Sequence, residues 1–110
     1  MTATPRNLLT IDGQVIERGA VRYTPAGVPV IEFRLSHESE QMEAGSKRKV
    51  DCEMACVALG TLANLLSGVN AGSLCSATGF LAAKSLRNRS LVLHVTAIEF
   101  KEGSNHGIQA

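Results

Sequence analysis

Several short runs of the sequence alternate apolar with polar residues, and Gly, Pro or polar residues separate one run from the next. The alternating runs cover residues 9–15, 31–36, 50–56 and 91–96. A period of two is typical of β-strands, because successive side chains of a strand point to opposite faces of the sheet. The pattern therefore predicts a fold built mainly from strands that each bury one face.

Two segments lie between the third and the last of these runs. Residues 61–66 carry leucines at helical spacing after Thr61, a candidate N-cap, and Gly68 is expected to end this short helix. Residues 74–83 are apolar or small with almost no charge. Such a segment indicates a strand that is covered on both faces or that lies where a barrel closes.

Turn-forming and charged residues mark the connections. Pro25 and Gly27 fit the second and fourth positions of a type I turn, which predicts a hairpin. Residues 38–46 lack apolar alternation and end in Ala-Gly-Ser, so we interpret them as a mobile loop. Residues 84–89 contain three basic residues and no acidic one, and we interpret them as a hairpin tip.

The predicted order is three strands, a short helix and two further strands, in a chain whose 110 residues suffice for one domain. This order suits an all-β fold, the five-stranded oligonucleotide/oligosaccharide-binding barrel (OB-fold), with the helix between strands three and four. We predict an OB-fold domain over residues 8–100, with a flexible N-terminus at 1–7 and a flexible tail at 101–110. A plain antiparallel sheet with one helix is the alternative.

The composition excludes several classes of protein. Hydrophobic residues make up 45% of the chain and charged residues 19%, as in globular domains and unlike disordered chains. No run approaches the roughly 20 consecutive apolar residues that span a membrane. Residues 1–7 also lack the apolar core of a signal peptide. We therefore expect a cytoplasmic protein without membrane association.

The three cysteines and three histidines form no recognisable metal-binding or catalytic motif. Cys52 and Cys56 would stand about 13 Å apart on one face of a strand, at roughly 3.3 Å per residue, too far for one tetrahedral ion. An odd number of cysteines also disfavours a disulfide framework. No nucleophile–base signature and no Gly-rich phosphate loop is present. We expect no metal, no cofactor and no enzymatic activity.

Basic residues carry the more informative functional signal. The net charge is only +1, but eight of the eleven basic residues lie at predicted hairpins, loop edges or an outward strand face. On an OB-fold, the loops after strands two and four are expected to flank one binding face. With acidic residues kept elsewhere, these charges would follow the backbone of single-stranded DNA. The candidate DNA-binding residues are Arg22, Arg34, Lys47, Arg48, Lys49, Lys84, Arg87 and Arg89.

Several segments also resemble a known family. Gly13, residues 21–27 and residues 33–35 are similar to the opening of bacterial single-stranded-DNA-binding proteins. Within that superfamily the chain resembles the PriB family, primosomal replication protein N, over about residues 9–100. The segments that carry this narrower resemblance are residues 27–29, 43–45, 52–54, 79–80 and 91–94.

The resemblance implies a homodimer of barrels that binds single-stranded DNA and acts in replication restart. The implied partners are the PriA helicase and other primosome proteins, and no cofactor is implied. By position, the resemblance places Arg22, Arg48, Lys84 and Arg87 at basic sites of the family. Lys47, Lys49 and Arg89 are added as charged neighbours, and Arg34 is added because its strand position points outward.

The chain departs from this family where aromatic residues are expected, in and just after the loop between strands two and three. The matching positions are Ser46 and Asp51, and Tyr23 is the one exposed aromatic candidate. Stacking on an aromatic ring is worth about 1–3 kcal/mol per base, so we expect weak DNA binding unless phosphate contacts compensate. Two alternatives stay open: an OB-fold protein-interaction module with incidental DNA binding, and a general single-stranded-DNA-binding protein.

Overall fold

Residues 4–101, the part of the chain that this computed structural model describes, form six strands and one short helix. The elements are β1 (Leu9–Arg18), β2 (Arg22–Tyr23), β3 (Pro29–Glu43), β4 (Ser46–Leu59), α1 (Thr61–Leu66), β5 (Leu74–Ala83) and β6 (Leu91–Phe100). Of the predicted tail, only Lys101 falls within the described residues. Near the other end of the chain, Asn7 Nδ2 donates to the Leu81 carbonyl oxygen at 2.7 Å, and the Leu81 N–H donates to Asn7 Oδ1 at 2.9 Å.

The strands close into a barrel because β1 pairs on both sides. Residues 9–14 pair antiparallel with β5, and residues 14–18 pair antiparallel with β3, with a register shift between Val15 and Glu17. On the far side, β4 and β6 run parallel where Cys56 faces Leu93. Five strands form the barrel, and β2 is a short addition beside β3. The predicted OB-fold is confirmed, and the plain-sheet alternative is wrong.

The barrel interior is filled by the apolar members of the alternating runs. On β3, Ile31, Phe33 and Leu35 are all nearly inaccessible to solvent. The helix lies between the third and fourth barrel strands and buries Ala63 and Leu66 against this core. Since the inner positions are committed to the core, the alternate side chains of β3, β4 and β6 face outward.

The start of α1 differs from the prediction. Thr61 is the first helical residue, and Gly60 occupies the N-cap position with φ of 75° and no side-chain cap. A positive φ favours glycine, which explains why Gly60 and not Thr61 takes this position. The helix ends at Leu66 with Ser67 as C-cap, so Gly68 lies just beyond it.

The mobile loop predicted for residues 38–46 is wrong. Pairing between β3 and β4 continues without interruption to Glu43 and Ser46, so residues 38–51 form a two-stranded ribbon. Ala44 and Gly45 make the turn, and both have positive φ, as two-residue hairpin turns require. Within the described chain, these ribbon strands pair only with each other. Because most of the ribbon is exposed on both faces, its sequence shows no apolar alternation.

The first hairpin and the hairpin tip after β5 lie as predicted. The N–H of Gly27 donates to the Thr24 carbonyl oxygen at 2.8 Å, which closes the expected turn. The bounds of β5 and β6 leave residues 84–90 as the connection between them. Among residues 4–101, no helix has the length and apolar character needed to cross a membrane.

Candidate nucleic-acid interface

A cleft of about 580 Å³ lies on the outer face of the barrel, across the adjacent strands β3, β4 and β6. Its volume is within the roughly 300–1,000 Å³ of typical small-ligand sites. The outward-facing residues of these strands give it a mostly apolar floor. The floor residues are Val30, Ala55, Val57, Leu59 and Val92. An exposed apolar surface of this kind suits the face of a planar ring, such as an unpaired base.

Charged and polar side chains surround this floor. One side of the cleft is bordered by Glu17, Arg18, Arg22, Glu32 and Arg34, and the other by Lys84 and His94. The structure thus brings together three of the eight predicted DNA-binding residues: Arg22, Arg34 and Lys84. The remaining five lie on the ribbon or in the connection between β5 and β6.

Two rim arginines are paired with carboxylates. Arg22 Nη2 lies 2.6 Å from Glu32 Oε2, and Arg34 Nη2 lies 3.2 Å from Glu53 Oε1, with Glu17 Oε1 at 3.9 Å from Arg34 Nε. Arg34 does point outward, as predicted, and its side chain is 40% exposed. Exposed ion pairs contribute only about 0–1 kcal/mol, so a phosphate is able to displace such a carboxylate at little cost.

The ribbon carries its basic residues beside acidic ones. Lys49 faces Glu40 across the ribbon, and Arg48 Nη1 donates to Glu43 Oε1 at 2.9 Å. Because side chains alternate, Lys47 and Lys49 share one ribbon face and Arg48 occupies the other. The ribbon holds three basic residues and four acidic ones, Glu38, Glu40, Glu43 and Asp51. The expectation that the acidic residues lie apart from the basic ones is therefore wrong here.

The connection between β5 and β6, residues 84–90, carries three basic residues and no acidic one, and we call it the basic loop. Lys84, Arg87 and Arg89 are exposed, and within residues 4–101 no carboxylate lies within 4 Å of any of them. The N–H of Lys84 donates to the Ser90 carbonyl oxygen at 2.8 Å, which closes the loop. Lys84 borders the cleft, so the loop extends the positive charge away from it.

An exposed aromatic residue next to the cleft was missed at the sequence level. Phe80 on β5 is 41% exposed, and its ring stacks on the imidazole of His94, with centroids 5.0 Å apart and planes 7° from parallel. Tyr23 is 65% exposed, as expected, but it is not the one exposed aromatic. Phe80 lies inside an unbroken apolar run, and such a run does not reveal which face of a strand is covered.

The three cysteines are free thiols in different surroundings. Burial raises the pKa of the Cys56 thiol to about 12 and that of the Cys75 thiol to about 11. Both thiols are therefore protonated at neutral pH and lie in the barrel interior. Cys52 is exposed at the base of the ribbon.

Comparisons with known proteins agree with this geometry. A family model described as "another single-strand binding protein family" matches residues 7–97. Replication restart protein PriB of Nitrosomonas europaea is 40% identical over 90 residues, which cover 82% of this chain and 83% of the relative. PriB of Bordetella pertussis is 43% identical over 89 residues, covering 81% and 83%.

The chain belongs to the PriB family of replication restart proteins. The solved structure of PriB from Ralstonia solanacearum matches it with a TM-score of 0.83 at 33% identity, over 89% of this chain and all of that one. A single-stranded DNA binding protein from Thermus aquaticus has the same fold, with a TM-score of 0.74 at 23% identity, over 92% of this chain and 52% of that one. The predicted family is confirmed, while the DNA-binding role of the eight basic residues stays a prediction.

Proposed function

We propose that this chain is a non-enzymatic replication restart factor that binds single-stranded DNA across the cleft and the basic loop and assists the PriA helicase at stalled forks. One observation carries the proposal. The cleft, bordered by Arg22, Arg34 and Lys84, continues into a loop whose positive charges have no carboxylate partner among the described residues. Relatives that are named replication restart protein PriB support the same assignment.

The cleft and the basic loop bind different parts of the DNA strand. The apolar floor accepts bases, which an unpaired strand exposes and a duplex does not. The basic loop neutralises phosphates, and each neutralised phosphate releases condensed counterions. The rim arginines exchange their carboxylates for phosphates as the strand enters. Because four acidic residues accompany the three basic ones of the ribbon, the ribbon adds little net attraction.

The proposed partners follow from the family. Residues 9–13 of β1 offer an edge at which a second copy of the chain could pair to form a homodimer, because β3 pairs with β1 only from Gln14 onward. PriA and other primosome proteins are the proposed protein partners, in the bacterial cytoplasm. Sedimentation at micromolar concentration tests the dimer, and a monomer there would remove this part of the proposal.

The first experiment is a fluorescence anisotropy titration of a labelled single-stranded oligonucleotide at several salt concentrations. Four to six phosphate contacts, at about 0.7 per contact, predict a slope of log affinity on log salt of roughly −3 to −4. A duplex of the same sequence serves as control and is expected to bind more weakly. A flat slope, or equal binding of duplex and single strand, would contradict DNA binding in the cleft.

A protein-bridging role is the second candidate, and the ribbon favours it. Its mixed charge and the 67% exposed Met42 suit a protein surface better than a phosphate backbone. Repeating the titration with PriA present separates the two functions. Binding to DNA alone supports the first, whereas negligible binding alone with a clear ternary signal supports the second.

A further inference from the structure

Phe80 and His94 form an exposed stacked pair at the edge of the cleft. They are direct cross-strand partners on β5 and β6, and His94 itself borders the cleft. The imidazole covers one face of the phenyl ring. Phe80 is nevertheless 41% exposed, so a large part of the residue stays accessible to a ligand. A large aromatic surface of this kind, next to a charged groove, is a feature of single-strand binding sites.

The backbone holds this pair in place. The register of β5 against β6 shifts between Thr78 and Gly79, and Gly79 then sits directly against the backbone of His94. A Cβ atom at Gly79 would collide with the His94 carbonyl oxygen. The close approach of the two strands at this point is thus possible only with glycine, and it sets Phe80 directly opposite His94.

The surroundings of the pair fit a base. Val92 of the cleft floor lies two residues before His94 on the same outer face of β6. Lys84 follows Phe80 by four residues, at the start of the basic loop. Since Lys84 and His94 both border the cleft, a DNA strand that crosses the floor reaches the start of the basic loop and the Phe80–His94 pair on the same side of the cleft. Ser46 and Asp51, which occupy the aromatic positions expected of the family, provide no ring.

We propose that the Phe80–His94 pair is a base-stacking platform, on which the exposed phenyl ring holds one nucleobase of bound single-stranded DNA. The inference rests on the proposed DNA binding and adds Phe80 as a residue that contacts a base and not a phosphate. The platform compensates in part for the aromatic residues that the ribbon lacks.

The test compares two oligonucleotides of equal length and charge, one of thymidines and one of abasic sites, in anisotropy titrations at fixed salt. Phe80→Leu keeps an apolar side chain but removes the ring. We expect it to weaken thymidine binding about 5-fold to 140-fold, the range that corresponds to about 1–3 kcal/mol of stacking. Binding to the abasic strand is expected to change less than about 2-fold, because stacking needs a base.

Two further variants complete the design. Phe80→Trp keeps an aromatic ring and is expected to retain the preference for thymidine over the abasic strand. Leu65→Ala removes a side chain that is 58% exposed on α1 and does not border the cleft, and it is expected to change neither affinity. Denaturant unfolding of each variant confirms that it is folded.

The outcomes separate this inference from the function on which it rests. If wild-type protein prefers thymidine and Phe80→Leu keeps that preference, the platform is refuted and DNA binding stands. If Phe80→Leu weakens both oligonucleotides equally, the residue acts through structure and the platform is also refuted. If wild-type protein binds neither oligonucleotide at low salt, the proposed function fails and the platform with it.

Discussion

Replacing Lys84, Arg87 and Arg89 together with alanine tests whether unpaired charge on the basic loop carries DNA binding. The only side-chain hydrogen bond of these three residues to another described residue is that of Arg89 to the Ser85 carbonyl oxygen, at 3.3 Å. The loop is closed by backbone groups and by Ser85 and Asn88, which remain. We therefore expect the free energy of unfolding to change by less than about 1 kcal/mol.

The effect on DNA binding follows from counterion release. Three lost phosphate contacts, at about 0.7 each, reduce the slope of log affinity on log salt by about 2. From 50 to 200 mM salt, wild-type protein is then expected to lose roughly 100-fold in affinity, and the variant only roughly 10-fold. At 50 mM salt, the variant is expected to bind more weakly than wild-type protein but still measurably, so that its slope can be determined. Anisotropy titrations of labelled single-stranded DNA at four salt concentrations measure both quantities.

A matched variant on the ribbon makes the comparison decisive. Replacing Lys47, Arg48 and Lys49 with alanine removes the same formal charge, but Arg48 is already paired with Glu43 and Lys49 lies opposite Glu40. We expect this variant to reduce the slope by less than about 1. If the ribbon variant loses as much slope as the loop variant, the reasoning that unpaired charge outweighs paired charge is refuted.

Four further predictions concern the rim, the cysteines, the stability of the core at high pH and the ribbon turn. Glu32→Gln releases Arg22 from its ion pair and removes a negative charge from the cleft. Single-stranded DNA should therefore bind about 5-fold more tightly in the same titration, which corresponds to about 1 kcal/mol. Equal or weaker binding would contradict this. In native protein at pH 8, an alkylating reagent should modify Cys52 and leave Cys56 and Cys75 unmodified, as mass spectrometry would show. Because burial raises the pKa of both core thiols to about 11–12, the unfolded chain ionises them first, and stability should fall as pH rises above their ordinary value of 9.0. Gly45→Ala places alanine at φ of 81° and should lower the free energy of unfolding by about 1 kcal/mol in urea, whereas Gly68→Ala, also in open space but without a positive φ, should not.

Burial explains which parts of the fold the sequence could predict. The bounds of β5 and β6 match the predicted strands at 74–83 and from Leu91 to Phe100, because each strand has an inner face that must be apolar. The ribbon has no such face, so its pairing is evident only from the backbone hydrogen bonds and the Ala44–Gly45 turn of the structure. Apolar alternation indicates that one face of a strand is buried, so it does not reveal strands that are exposed to solvent on both faces.

The sequence predicted which elements carry the basic residues, but not how those residues are paired with carboxylates. The basic residues at the first hairpin, on β3 and in the basic loop were located correctly. Their carboxylate partners were not, since Glu32 is 10 residues from Arg22 and Glu53 is 19 residues from Arg34. Only the register between neighbouring strands brings these groups together. The exposure of Phe80 was missed for a different reason, because Phe80 lies inside an unbroken apolar run that does not reveal which face of the strand is covered.

A chain with a net charge of +1 can bind DNA if its charges differ in how they are paired. The rim arginines and the ribbon are largely neutralised by carboxylates, which limits attraction to any polyanion at a distance. On the proposed binding mode, the basic loop keeps its charge and supplies affinity, and this contribution weakens with salt. The proposed base contacts of the apolar floor and Phe80 require unstacked bases and do not depend on counterions. Selectivity for single strands and overall affinity would then reside in different residues, so salt and base removal should change them independently.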